Sequence, residues 1–305
     1  MADAKSDCIG GVFAAAIAPR RASGHEIDLG LALEGIDFLN SHPIRGIVLL
    51  GSTGEFIHYD FEERMKLVAL AAKRSRAPVV ASITHSTLDG TIALAEEAAD
   101  AGVAAVLVMP PYYFRYDSQD LREFYSRFSD EFEAKTPVYL YNIPFFTSEI
   151  PSDVACELLA AGRFAGIKDS SGRMDYFEAL IGQRATTPFT LMIGNDTMFV
   201  RGRRGGADGV VSGVASALPE LLLGLERAIM SANTEAIAAL SVRLDEFIGW
   251  IERFPTPVGV REAARMRGVK IGPSGVPLGP AKQALLGEFE AWFKGWLPAM
   301  LAESK

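Results

Sequence analysis

Eight short, apolar, β-favouring runs separated by longer stretches of helical periodicity constrain this chain more than any other feature of its sequence. The runs are Gly11–Ala18, Gly46–Leu50, Val79–Ile83, Ala105–Met109, Val138–Asn142, Phe164–Lys168, Thr190–Ile193 and Gly209–Ser212. Between them Phe61, Met65, Val68 and Ala72 form one helical stripe, and Leu121, Phe124/Tyr125, Phe128 and Phe132 another. Strict alternation of strand and helix implies parallel strands joined by right-handed crossovers. Eight such units within about 220 residues match the arithmetic of a closed (β/α)8 TIM barrel. The rival is an open doubly wound sheet, which carries a glycine fingerprint for a nucleotide after its first strand. Here that position reads Ala18-Pro-Arg-Arg-Ala-Ser-Gly24, and the barrel is preferred.

Beyond Leu218 no strand pattern remains. Helical patterns run through Leu221–Met230, Thr234–Arg253, Pro257–Gly268 and Ala281–Leu297, punctuated by the Gly/Pro-rich loop Ile271–Pro280. The expected organisation is a catalytic barrel over residues 1–220 and a C-terminal helical region over 221–305.

Charge and cysteine content exclude several classes of function. A net charge of −8 argues against nucleic acid or an anionic membrane as partner. Cys8 and Cys156 offer neither a disulfide framework nor a metal-ligand spacing. The polar segment Met1–Gly10 does not read as a secretory signal, and no apolar stretch reaches membrane-spanning length. The expected location is the cytoplasm. His25, His42, His58 and His85 stand singly, without an i, i+4 pair, so a metal-dependent aldolase is not expected; no nucleotide motif stands out, and no organic cofactor is expected.

In a barrel the chemistry gathers at the C-terminal ends of the strands. At one such end lies Lys168, in the run Phe164-Ala-Gly-Ile-Lys-Asp-Ser-Ser-Gly172. A covered strand makes an ammonium costly, so this lysine must be paired, exposed at the strand end, or chemically useful. Taken alone, a strand-end lysine with its head in water is the commoner arrangement. Its neighbours shift the balance. After the second strand, Gly51-Ser-Thr-Gly-Glu55 leads into a helix, and its hydroxyls and backbone N–H groups can cradle a carboxylate; an ordinary capped turn is the plainer reading. Pro110-Pro-Tyr-Tyr-Phe-Arg-Tyr116 follows the fourth strand and suits a pocket wall or an interface equally well. The fifth strand ends Tyr139-Leu-Tyr-Asn-Ile-Pro144, where alternation puts Tyr139 and Tyr141 on one side. Tyr141 is then either a satisfied core tyrosine or a phenol that carries protons. An amine nucleophile, a phenol and an anion cradle together suit one task. They would bind a 2-oxo acid by its carboxylate, form an imine at its ketone, and move protons as a carbon–carbon bond forms or breaks.

Gly51–Glu55, Pro111-Tyr-Tyr113, Tyr141-Asn-Ile-Pro144 and Gly166–Gly172 resemble, in order and spacing, the motifs of the dihydrodipicolinate synthase/N-acetylneuraminate lyase family. Its members are class I, pyruvate-handling barrel lyases, and the resemblance covers essentially the whole chain. It implies that Lys168 is the Schiff-base lysine and Tyr141 the relay phenol. Thr53, with Ser52 beside it, would bind the pyruvyl carboxylate, and Val211 would line the pyruvate pocket through its backbone. Tyr113 would reach into a neighbouring subunit's relay through Ser52, which implies a homodimer or homotetramer.

The chain also departs from the family pattern. Phe146 stands where dihydrodipicolinate synthases carry an arginine for the aldehyde's carboxylate, a contact a phenylalanine cannot replace. Gly194-Asn-Asp196 resembles the sugar-binding turn of N-acetylneuraminate lyase, but Thr197 replaces a second acid. Gly54-Glu-Phe56 and Lys168-Asp-Ser170 are closer to members acting on 4-hydroxy-2-oxo acids or 2-keto-3-deoxy sugar acids, while Phe56, Phe145 and Phe146 also suit a less polar aldehyde, as in aromatic hydratase-aldolases. Arg115 suits an interface better than a substrate contact. Dihydrodipicolinate synthase, N-acetylneuraminate lyase, an imine-using dehydratase and a silent 2-oxo-acid binding protein stay open as alternatives.

Overall fold

Eight parallel strands close on themselves in chain order in the computed structural model, which describes residues 9–305; Cys8 lies outside them. The strands are β1 (Gly11–Ala15), β2 (Gly46–Leu49), β3 (Val79–Ser82), β4 (Ala105–Val108), β5 (Val138–Asn142), β6 (Gly166–Asp169), β7 (Thr190–Ile193) and β8 (Gly209–Ser212). Helices α1 (Leu29–Asn40), α2 (Phe61–Arg74), α3 (Leu88–Asp100), α4 (Ser118–Glu131), α5 (Ser152–Ala160), α6 (Met174–Arg184), α7 (Phe199–Arg204) and α8 (Pro219–Met230) follow the strands in turn. The C-terminal helices are α9 (Thr234–Ile251), α10 (Val258–Met266) and α11 (Pro280–Glu303). The TIM barrel expected from the sequence is thus present. Among the described residues, no helix is long and apolar enough to cross a membrane.

The strands are short and covered on both faces, which is why they read as unbroken apolar runs. The interior is filled by pairing large side chains with glycines. A Cβ on Gly46 would sit 2.0 Å from the Phe13 ring, and one on Gly166 would sit 2.8 Å from the Tyr139 ring. Close packing leaves no other place for those rings. Helix starts are marked by side chains that accept backbone N–H groups: Asp28, Asp60, Thr87, Asp117 and Asn233 cap α1, α2, α3, α4 and α9. On α4 the ambiguity in the stripe resolves to Tyr125, which is fully buried and donates its hydroxyl to the Val108 carbonyl at 3.2 Å.

Among the boundaries that differ from the sequence expectation, three have a visible packing cause. β1 ends at Ala15, because after a last bond from Ala16 N–H to Val48 the chain leaves the sheet. β6 begins at Gly166, since Phe164 turns out of the strand to pack edge-on to Tyr125 at 5.8 Å. α11 does not stop at Leu297 but runs through Pro298, held by the buried Met300 and by Arg227, which donates to the Ser304 carbonyl. Tertiary packing there outweighs the helix-breaking tendency of proline.

Phe247, Phe289, Phe293 and Trp296 stack α9 on α11 with ring centroids 5.6–6.3 Å apart. Helices α9 and α10 lean over the C-terminal mouth of the barrel and supply one wall of the cleft there. We retain the division at residue 220 as a proposal about organisation, though it falls within the first turn of α8; that helix packs against both β1 and α9, and one continuous hydrophobic core spans both parts.

Candidate active site

Lys168 is the penultimate residue of β6, in register with Tyr141 on β5 and Met192 on β7. It is 4% exposed, and its Nζ lies 3.8 Å from the centroid of the Tyr141 ring. That is cation–π contact distance for an ammonium. Among the described residues no carboxylate pairs with this amine at contact distance.

The neighbouring strand ends are shaped around it. Gly194 follows β7, and a Cβ there would lie 2.0 Å from Ser170 Oγ and 2.9 Å from Lys168 Cε. Only a glycine leaves the lysine its room. Ser170 is 6% exposed, its Oγ has no hydrogen-bond partner, and it lines the cleft above the lysine. A buried hydroxyl without a partner is costly unless something arrives to meet it. In the sequence Ser170 stands out only as part of the Lys168-Asp-Ser170 motif, and its place two residues after the lysine is the available signal.

Behind the lysine, on the outer side of the sheet, Asn142 Nδ2 donates to Asp169 Oδ1 at 2.8 Å and Asn142 Oδ1 accepts Ile150 N–H at 3.1 Å. Ser171 donates to Asp169 from both backbone and hydroxyl. Burial raises the Asp169 pKa, and the bonds from Ser171 and Asn142 pull it back. This network fixes the ends of β5 and β6, and with them the Lys168–Tyr141 pair.

Across the mouth, Thr53 is 7% exposed, and its Oγ1 lies 3.1 Å from where a Cβ on Gly213 would stand, just past β8. The Gly51–Glu55 segment does not run directly into a helix as the sequence suggested. It forms a turn closed by Gly54 N–H to Gly51 and Glu55 N–H to Ser52, then one 3₁₀ turn (Phe56–His58), and α2 starts only at Phe61. Two non-glycine residues, Leu50 (φ 58°) and Glu55 (φ 49°), bracket this turn in the left-handed region. A Cβ on Gly54 would come within 3.0 Å of Leu50 N, so the turn is tight as well as twisted.

Asp196 is the strongest electrostatic feature of the cleft. Burial raises its pKa to about 6, opposed by bonds from the Ser212 hydroxyl and the Val214 and Gly213 backbone and by the charge of Lys168. Its Oδ1 is buried and unpartnered.

A cleft of about 210 Å³ brings Thr53, Ser170, Gly194 and Asp196 together with Phe145, Asn195, Thr197, Glu252 and Thr256. Val211 is buried and in register with Phe13, on the barrel-facing side of β8. Other expected residues stand apart. Phe145 lines the cleft, whereas Phe146 is 53% exposed beside it. Phe56 is buried between Tyr112 and Arg64, so it packs and does not face the cleft. Ser52 is half-buried next to Thr53. Tyr113 is 86% exposed at φ 82°, stacked edge-on against Phe114, and Arg115 donates to the Thr147 carbonyl of its own chain.

A barrel with a buried lysine at a strand end, under a polar cleft, has the form of a barrel lyase of the aldolase type. The sequence identifies the family: the model of the Dihydrodipicolinate synthetase family matches residues 8–294, and the chain belongs to it. A 4-hydroxy-tetrahydrodipicolinate synthase from Methanothrix thermoacetophila is 31% identical over 271 residues, covering 88% of this chain and 91% of that one. An uncharacterised DapA-like lyase from Halobacterium salinarum is 31% identical over 77% of each chain. Among solved structures, the 4-hydroxy-tetrahydrodipicolinate synthase of Methylacidiphilum fumariolicum SolV superposes with a TM-score of 0.86 at 26% identity, over 97% of this chain and 99% of that one. The protein is a lyase of the aldolase type.

Proposed function

We propose that this lyase makes or breaks a carbon–carbon bond between pyruvate and a hydroxylated, uncharged aldehyde, as in the cleavage of a 2-keto-3-deoxy sugar acid. Lys168 Nζ attacks the ketone and water leaves, giving an imine. In the synthetic direction the methyl group of bound pyruvate loses a proton, and the resulting enamine attacks the aldehyde carbon, whose oxygen takes a proton. Hydrolysis then frees product and lysine. Tyr141, against which the amine lies, would carry the protons, and Thr53 with Ser52 would hold the carboxylate. Val211 would line the pyruvyl pocket. The observation that carries the reading is the buried Lys168 amine 3.8 Å from the Tyr141 ring, with Gly194 making room for it under the cleft.

The charge of the cleft favours this aldehyde. Its lining holds Ser170, Asn195, Asp196, Thr197 and Thr256, with Glu252 at the rim, and no arginine or lysine. A distal hydroxyl finds donors and acceptors there, whereas a distal carboxylate meets two acids and no counter-ion. That weighs against aspartate semialdehyde and against a 4-hydroxy-2-oxo acid with a second carboxylate. The similarity to 4-hydroxy-tetrahydrodipicolinate synthases favours that activity as the second reading. Assembly into a homodimer or homotetramer, with Tyr113 completing a partner's relay, and a cytoplasmic location belong to the same proposal.

A panel of 2-keto-3-deoxy sugar acids, 4-hydroxy-2-oxoglutarate, N-acetylneuraminate and, in the synthetic direction, aspartate semialdehyde would test the substrate. Pyruvate release with highest kcat/KM from a 2-keto-3-deoxy sugar acid is expected. Preferred condensation with aspartate semialdehyde would reverse the order, and water loss with an intact carbon skeleton would point to a dehydratase.

A further inference from the structure

We propose that Arg261, on α10, is a positioning residue for the carboxylate cradle: by holding Glu55 it fixes the turn that presents Thr53. The inference rests on the assignment of Thr53 above. Arg261 is 2% exposed and lies far from the reacting atoms in sequence, yet its guanidinium ties three segments together. Nη1 donates to Glu55 Oε2 at 2.9 Å and to the Ala18 carbonyl at 3.4 Å. Nη2 donates to the carbonyls of Ile271 at 2.9 Å, Pro273 at 3.1 Å and Gly272 at 3.3 Å. Glu55 Oε1 lies 3.5 Å from His58 Nδ1, which makes no hydrogen bond, so the hold on the carboxylate comes from Arg261.

The backbone shows what the grip is for. Glu55 sits at φ 49°, a conformation an L-residue avoids unless its surroundings impose it. Its N–H closes the turn back to Ser52, and Thr53 lies two residues upstream. Releasing the side chain frees Glu55 to return to ordinary backbone angles, which unwinds the turn and moves the Thr53 hydroxyl and the adjacent N–H groups. Strained residues cluster at functional sites, and this one is held by a buried guanidinium beside the cradle. The C-terminal helical region therefore acts on pyruvate binding without touching pyruvate.

The test uses Glu55→Gln, Arg261→Lys, Arg261→Met and the Glu55→Gln/Arg261→Met double variant, with melting temperature measured alongside. Imine formation is read as borohydride-trapped adduct against pyruvate concentration. In Glu55→Gln, which keeps shape and leaves Arg261 its carbonyl partners, half-maximal trapping is expected at about tenfold higher pyruvate, with the rate at saturation nearly unchanged. Arg261→Lys should fall between wild type and Arg261→Met, and the double variant should be no worse than the more impaired single one. Folded variants with unchanged half-saturation, a loss confined to the saturated rate, or strictly additive effects would each overturn the inference. If Arg261→Met does not fold, Glu55→Gln and Arg261→Lys decide alone. Failure of the wild type to trap pyruvate would instead overturn the function proposed above.

Discussion

Asp196 links the electrostatics of the cleft to the stability of the molecule. An ordinary aspartate titrates near 3.8, whereas burial carries this one to about 6. Below about pH 4 the folded and unfolded chains both hold the proton. As pH rises through the window up to about 6, the unfolded chain ionises first, so stability is lost, by about 3 kcal/mol once the folded group has also ionised. Asp196→Asn should therefore raise the melting temperature at pH 7.5 and leave it nearly unchanged at pH 4. An equal effect at both pH values would contradict the assignment. Lys168 and Tyr141 were legible in the sequence because polar groups interrupt apolar strand runs at the end where barrels do chemistry. Ser170 and Arg261 were not. The place of the Ser170 hydroxyl depends on the missing Cβ of Gly194 on the next strand, and the proposed role of Arg261 on Glu55, 206 positions away in sequence.

At the scale of elements, the end of β7 decides how the lysine stands. Gly194→Ala would press a methyl group into Ser170 Oγ and Lys168 Cε. The new Cβ would also stand 3.2 Å from the Asp169 carbonyl, a contact that a shift of a few tenths of an ångström relieves, so the variant should fold, with adduct formation slowed at least about tenfold. Trapping rate and melting temperature together check this; adduct formation at the wild-type rate would mean the lysine does not need the space. Every strand and the main helices were readable from period and composition. The ends of β1, β6 and α11 were not, because they are set by where Ala16, Phe164 and Met300 find their packing partners. The turn at Gly51–Glu55 is hidden from the sequence for a similar reason. Its sequence permits a helix start, and the Arg261–Glu55 contact selects a left-handed residue there instead.

The molecule as a whole is a barrel whose C-terminal helices wall the cleft at the catalytic end. Beside the cleft it also exposes Tyr113, Phe114, Phe145 and Phe146, large apolar side chains that a lone chain would leave in water. Sedimentation should show a dimer or tetramer, and Tyr113→Ala should weaken assembly and lower turnover together. A fully active monomer would exclude a partner's tyrosine from the reaction. The central claim is the covalent one, and borohydride trapping with pyruvate, followed by intact mass and peptide mapping, tests it most directly. A single pyruvyl-sized adduct on Lys168 is expected in the wild type. It should persist in Tyr141→Phe, where turnover is slow but binding remains, and vanish in Lys168→Ala. Pyruvate bound without an adduct in the folded wild type, or an adduct on a different lysine, would contradict the account and favour a silent binding protein on the same barrel.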